Sequence, residues 1–212
     1  MNLSHCTEER FLNDVKEHEL TVVHDSENGR HLKFRKPGTI CYGFDLITWP
    51  GFLSITGDLG CYVFSRLPDM FEFFRMEEGR IYPVGNKELS INPGYWGQKL
   101  KSICKIGGFQ EFSEVSFRAA IKDHYETNWE YESPKQKGVV WRELKEEILD
   151  YADVREVAFH QAYSFKSSYG HRIYDWEADC EAFTFSYIWC LYAIVWGISK
   201  YDELKAVAEV KS

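Results

Sequence analysis

The 212-residue chain has no Cys-x-x-Cys pair, no His-x-x-x-His or His-Glu-x-x-His spacing, no cationic stretch leading into an apolar run at its start, and no excess of positive charge. Each absence excludes a class of function. The six cysteines (Cys6, Cys41, Cys61, Cys104, Cys180 and Cys190) are scattered, which points to reduced thiols rather than a zinc or redox centre. His5, His18, His24, His31, His124, His160 and His171 likewise lack metal-ligand spacing, although His24 and His31 are expected across a hairpin from one another. With 25 basic against 33 acidic side chains the net charge is −8, which disfavours a broad phosphate-binding surface and direct nucleic-acid binding. G-x-S-x-G, P-loop and G-x-G-x-x-G motifs are all missing, so no catalytic residue, metal or cofactor is assigned and an enzyme is the less favoured reading. Without a signal-peptide pattern the expected compartment is cytoplasmic.

What the chain does have is apolar mass: 44% hydrophobic and 17% aromatic residues, enough for a substantial core. Much of it is concentrated in one run, Ala182 to Ser199, that carries no charge. Such a run is long enough to cross a bilayer. Yet Trp189 and Tyr192 fall in its middle, where hydrocarbon would leave their N–H and O–H groups without partners, whereas membrane aromatics gather at the interfaces. The flanks carry both signs of charge, and Ser186, Cys190, Ala193 and Gly197 form a narrow small-residue face suited to close packing. The run is expected to be a buried central helix, not a membrane anchor.

Ahead of it, strand signals precede helix signals. Thr7 is placed to cap a short helix whose apolar side is Phe11, Leu12 and Val15. Asn28-Gly29 is then expected to supply the positive φ values of a hairpin turn, with further turns at Pro37-Gly38, Pro50-Gly51 and Gly57 to Gly60. In "TICYGFDLITW" the alternation of Ile40, Tyr42, Phe44 and Leu46 predicts a strand. The sum is a five-stranded antiparallel meander within residues 1–78, a Gly/Pro loop at 79–94, and a helical stretch from 95 to 212. "YWGQKLKSICKI" is expected to be helical up to Gly107-Gly108. Ser113, Ser133-Pro134 and Asp153 are read as starts of later helices, the second running to about Tyr151, the third amphipathic with Val154, Val157, Ala158, Gln161, Ala162 and Phe165 on its inner side. Strands followed by helices predict an α+β fold, the sheet packed against a helical bundle as one compact unit.

Two groups of charged residues are candidate sites. On the helix after Pro134, Glu143, Glu146 and Asp150 line up beside an apolar stripe of Val140, Leu144, Ile148 and Tyr151, adjoined by Glu147, Asp153 and Glu156. Such a stripe can meet a basic protein surface, although Arg142, Lys145 and Arg155 interleave it as they would on an ordinary solvated helix face. The second group is Asp58, Arg66 and Asp69, around the turns of one hairpin, which can frame a small-ligand pocket or serve as local turn and ion-pair chemistry. The N–H groups around Gly57 to Gly60 also offer an anion seat.

The blocks "FDLITWPGFLSITGDLGCYVFSRLPDMFEFF" and "FSYIWCLYAIVWGISKYD" resemble a group of uncharacterised proteins of tailed bacteriophages and prophages, in which W-P-G…T-G-D-x-G…D-M-F-x-F-F and W-C-x-Y-A-I-x-W-G-I recur in that order. The resemblance spans about 50 residues and carries no catalytic residue. It implies a phage accessory protein acting on a host protein or complex, for instance against CRISPR or another defence. The expectation is therefore stoichiometric binding to a host factor through Glu143, Glu146 and Asp150, without a membrane or direct nucleic-acid role. The alternative is a small enzyme or ligand-sequestering protein with its pocket between sheet and helices.

Overall fold

A computed structural model describes residues 6–75, 89–103, 108–174 and 176–210. His5, Cys104, Gly107 and positions 79–88 of the expected Gly/Pro loop lie outside them. The fold is α+β: a six-stranded antiparallel sheet with helices following it in the chain. By compactness the chain forms two units, residues 1–110 with 183–212, and residues 111–182.

In the first unit, Thr7 caps α1 (Glu8–Val15) by accepting from the Arg10 N–H at 3.2 Å, and Phe11 and Val15 point into the core. Strands β1 (Glu19–Ser26), β2 (Gly29–Arg35), β3 (Phe44–Trp49), β4 (Phe52–Gly57), β5 (Gly60–Ser65) and β6 (Leu100–Ile103) pair in sequence order. The β1–β2 turn is Glu27-Asn28, because Ser26 pairs with Gly29, and neither turn residue has a positive φ. Gly29 is needed for a different reason than the expected turn geometry: a Cβ there would sit 2.5 Å from the Thr48 carbonyl oxygen of β3. The register sets His24 opposite His31, as the hairpin reading required. At Gly38 (φ +80°) and Gly51 (φ +84°) the predicted turns do need the left-handed region.

In this unit two elements differ from their sequence patterning, and both are explained by pairing. Residues 39–43 form a turn, with Tyr42 at φ +54° and Ile40 exposed, so β3 begins only at Phe44, where Phe34 is available across the ladder. The described part of "YWGQKLKSICKI", Tyr95 to Ile103, is the end of a one-turn helix, α3 (Pro93–Gly97), followed by β6, because the free edge of β5 accepts Leu100 opposite Phe64 and Ser102 opposite Val63.

The inner face of the sheet presents Leu32, Phe34, Phe44, Leu46, Leu53, Ile55, Tyr62 and Phe64, all fully or almost fully buried. Against it lies α7 (Phe185–Val210), the uncharged run, buried almost all round from Tyr187 to Ile198. Among the described residues no helix is long and apolar enough to cross a membrane. The polar tips of the helix find protein partners: Tyr187 Oη donates to the Pro93 carbonyl at 2.9 Å and Trp189 Nε1 to Asp14 at 3.1 Å. The small-residue face is used at Gly197, where a Cβ would meet Leu46 at 2.8 Å and the Phe34 ring at 3.1 Å.

The second unit holds α4 (Glu114–Thr127), α5 (Pro134–Glu147), a 3₁₀ turn (Leu149–Tyr151) and α6 (Arg155–Ser164). Ser113 and Ser133 cap α4 and α5 as their sequence positions implied. Phe117, Ile121, Val140, Leu144, Ile148, Ala158, Ala162 and Phe165 make its core. The chain enters this unit along β7 (Gln110–Phe112) and leaves it along β8 (Glu181–Phe183), which pair with each other. The last helix of the expected 95–212 stretch thus belongs to the sheet unit.

Candidate functional site

In the sheet unit, antiparallel strands bring the β1–β2 turn, the β3–β4 turn and the lead into α2 (Met70–Arg75) to one end of the sheet. There the Gly51 N–H donates to the Pro68 carbonyl at 2.9 Å. Glu27 to Arg30, Trp49 with its neighbours Thr48 and Pro50, and Pro68-Asp69 line an open cavity of about 210 Å³. Arg30 organises it. Both terminal nitrogens donate to the Asp69 carboxylate at 3.0 Å, and the guanidinium lies 4.8 Å from the Phe71 ring centre. Asp69 also accepts from the Phe71 N–H at 2.8 Å, capping α2. Behind this pair Asp25 accepts from Tyr201 Oη at 3.0 Å and meets Lys205. Burial alone would raise the Asp69 and Asp25 carboxyls. The opposing bonds from Arg30 in one case, and from Lys205 and Tyr201 in the other, prevail and hold both below the usual range.

Of the three residues proposed for a pocket, the structure brings only Asp69 to this cavity. Arg66 is exposed, and the cation paired with Asp69 is Arg30. Asp58 sits in the turn between β4 and β5, a six-residue strand away from Arg66, roughly 20 Å along β5. Its carboxylate accepts from the Tyr42 N–H at 2.9 Å, and its own N–H donates to the Gly43 carbonyl, so that turn's chemistry secures the left-handed Tyr42. Arg30 and Glu27 were missed because they are distant in sequence from Asp69. The available signal was an Arg directly after a hairpin Gly, at the same sheet end as the Trp49-Pro50-Gly51 turn.

In the helical unit, Glu143 and Glu146 lie on α5 and Asp150 on the 3₁₀ turn beyond it. The expected continuous helix to Tyr151 stops at Glu147, and Tyr151 leaves the apolar stripe to become exposed. Glu143 is half-buried and accepts from the Ser168 N–H at 3.1 Å. Glu146, Glu147, Asp150, Asp153 and Glu156 are exposed, and among the described residues none of them has a salt-bridge partner. Two of the three interleaved cations are diverted, Arg155 pairing with Glu181 at 3.1 Å and Lys145 lying 5.4 Å from the Trp141 ring centre, while Arg142 is exposed beside the stripe. Asp153 does not cap α6. Val154 occupies that position with no side-chain bond, so the Asp153 carboxylate is left to solvent.

The other departure is apolar. Val154 and Val157, expected in the core, are 46% and 39% exposed, because α6 closes on the unit with the small side chains Ala158 and Ala162. With Tyr151 they place three solvent-facing apolar side chains among the five free carboxylates. Charge follows the same division. Residues 111–182 contain 16 Asp and Glu against 9 Lys and Arg, a net −7, whereas the remaining 140 residues carry 17 against 16, a net −1.

No family model matches the chain, and neither a curated protein nor a solved structure matches it.

Proposed function

We propose that the chain is a phage-encoded accessory protein that acts in the bacterial cytoplasm by stoichiometric binding to a host factor, using the corner of α5, the 3₁₀ turn and α6 to occupy a basic surface on a defence protein. The observation that carries this reading is the concentration of unpaired carboxylates around exposed Tyr151, Val154 and Val157. Protein interfaces combine apolar anchors with a charged rim, and complementary potentials steer encounter and select the partner. A surface that serves only solubility gains nothing from presenting two valines beside the charges. Phage origin and an anti-defence role enter from the resemblance of the W-P-G and W-C-x-Y-A-I blocks.

Affinity capture from infected host cells tests the reading, with the wild-type chain compared against Glu146→Lys, Asp150→Lys and Glu156→Lys combined. These residues are exposed, so each change is expected to alter stability by no more than about 0.5 kcal/mol. Loss of a captured basic protein, together with weaker wild-type capture as salt rises, is the expected result. Undiminished capture by the triple variant would remove the acidic corner from the interface.

A further inference from the structure

The cavity of the sheet unit has a polarity of its own, and the groups left free in it define a ligand. Arg30 is the only cation among its lining residues, and its charge is spent on Asp69 in a two-bond pair. An incoming anion would have to displace a carboxylate already seated there. Glu27 has no hydrogen-bond or ion-pair partner among the described residues, and neither has the Asn28 side-chain amide. The Thr48 hydroxyl oxygen accepts from the Arg30 N–H at 3.0 Å, which leaves its own hydrogen to donate. Trp49 lines the cavity with 41% of its surface exposed, backed by the Phe52 ring stacked at 5.2 Å, and Pro50 and Pro68 supply apolar walls. Formal charge over Glu27, Arg30 and Asp69 is −1.

An exposed indole, an unpaired carboxylate and proline walls are the elements that recognise an organic cation with an apolar stem: the ring quadrupole and the carboxylate attract the charge, and the walls receive the methylenes. We propose that this cavity binds a primary alkylammonium group, with Glu27 as counter-charge, Trp49 as aromatic wall and the Arg30–Asp69 pair as its rigid floor. The same chemistry is offered by a lysine side chain of a partner protein and by a free polyamine. The site stands on the sheet unit alone and is independent of the acidic-corner reading.

The test titrates the intact chain with N-acetyl-lysine methylamide, with putrescine and with acetate. It follows the Trp49 indole N–H resonance, assigned by Trp49→Phe, and the heat of binding. Either amine should saturate the Trp49 shift with a dissociation constant on the order of millimolar, as suits one cation–π and one carboxylate contact. The amine that binds more tightly identifies the source. Glu27→Gln should weaken amine binding at least threefold, and because Glu27 is exposed and unpartnered its thermal midpoint should not move. Trp49→Ala should abolish saturable heat. Saturation by acetate instead of the amines, amine shifts confined to residues outside the cavity, or unchanged amine affinity in Glu27→Gln would each overturn the proposal.

Discussion

The sheet unit and the helical unit handle charge in opposite ways. In the sheet unit nearly balanced charges are turned on one another: Arg30 holds Asp69, Lys205 holds Asp25, Arg75 grips Asp202 through two nitrogens, and Arg35 holds Asp45, which is also hydrogen-bonded to His31. In the helical unit an acid excess of seven is left largely outward, and exposed valines accompany it. Paired charges tie one secondary element to another, whereas unpaired ones raise a field that acts at a distance. The same residue type therefore does structural work in one region and is available for recognition in the other.

The sharpest way to break this contrast is to attack the close packing behind the paired region. Gly197→Leu must push Leu46 and Phe34 out of van der Waals contact with the α7 backbone. Overpacking of this kind costs about 1–3 kcal/mol, and for a chain of this size each kcal/mol is worth roughly 2–4 °C of thermal midpoint. Gly197→Ala should cost less, since higher helix propensity offsets part of a clash with movable side chains. A Leu variant with an unchanged midpoint would show that α7 does not rest on the sheet at this position.

A single chemical change made in both units sharpens the comparison further. Asp69→Asn removes the charge that accepts two guanidinium bonds and a helix N-terminal N–H, and leaves Arg30 half-buried beside a neutral amide. Loss of charged hydrogen bonds in so partly exposed a place is expected to cost about 1–2 kcal/mol. Asp150→Asn, at an exposed side chain, should stay within about 0.5 kcal/mol. Urea midpoints measure both. Equal losses would mean that the two units do not differ in how they use their carboxylates.

How much of this was legible in the sequence depends on the range over which each feature is decided. The caps at Thr7, Ser113 and Ser133, the turns at Gly38 and Gly51, and the buried run from Tyr187 to Ile198 are fixed by residues within a few positions of one another. The sixth strand was not, because Leu100 to Ile103 become a strand only through the open edge of β5, some 40 residues earlier. Nor could patterning place the cavity. Arg30 and Asp69 are 39 positions apart, and the nearer Arg66 offered a local partner that the fold does not use. On α6 the 3.6-residue period marked Val154 and Val157 as core, yet the hydrophobic face is wider than the contact, and only Ala158 and Ala162 fit beneath it. That mismatch between period and burial exposes the apolar part of the candidate interface.

The smallest expected effect is a pH dependence that asks whether the helical unit, for all its outward charge, has a charge-intolerant interior. His124 on α4 is buried; its Nδ1 accepts from the Asn128 amide at 2.9 Å, and its buried Nε2 has no hydrogen-bond partner among the described residues. Burial lowers its pKa below the ordinary histidine value, with Asp123 opposing weakly. Because the folded pKa lies below the unfolded one, both states are neutral above about pH 6.5 and the histidine contributes no slope there. As pH falls below that value the unfolded chain takes up a proton first, so stability declines until pH reaches the folded pKa. His18, in the sheet unit, is shifted in the same direction, again chiefly by burial. Thermal midpoints recorded from pH 7.5 to 5 should therefore fall on the acid side for the wild type and fall less for His124→Asn and for His18→Asn, the two reductions adding because the residues belong to separate compact units. If His124→Asn keeps the full wild-type slope, the imidazole is reached by water, and the interior of the helical unit tolerates charge as readily as its surface does.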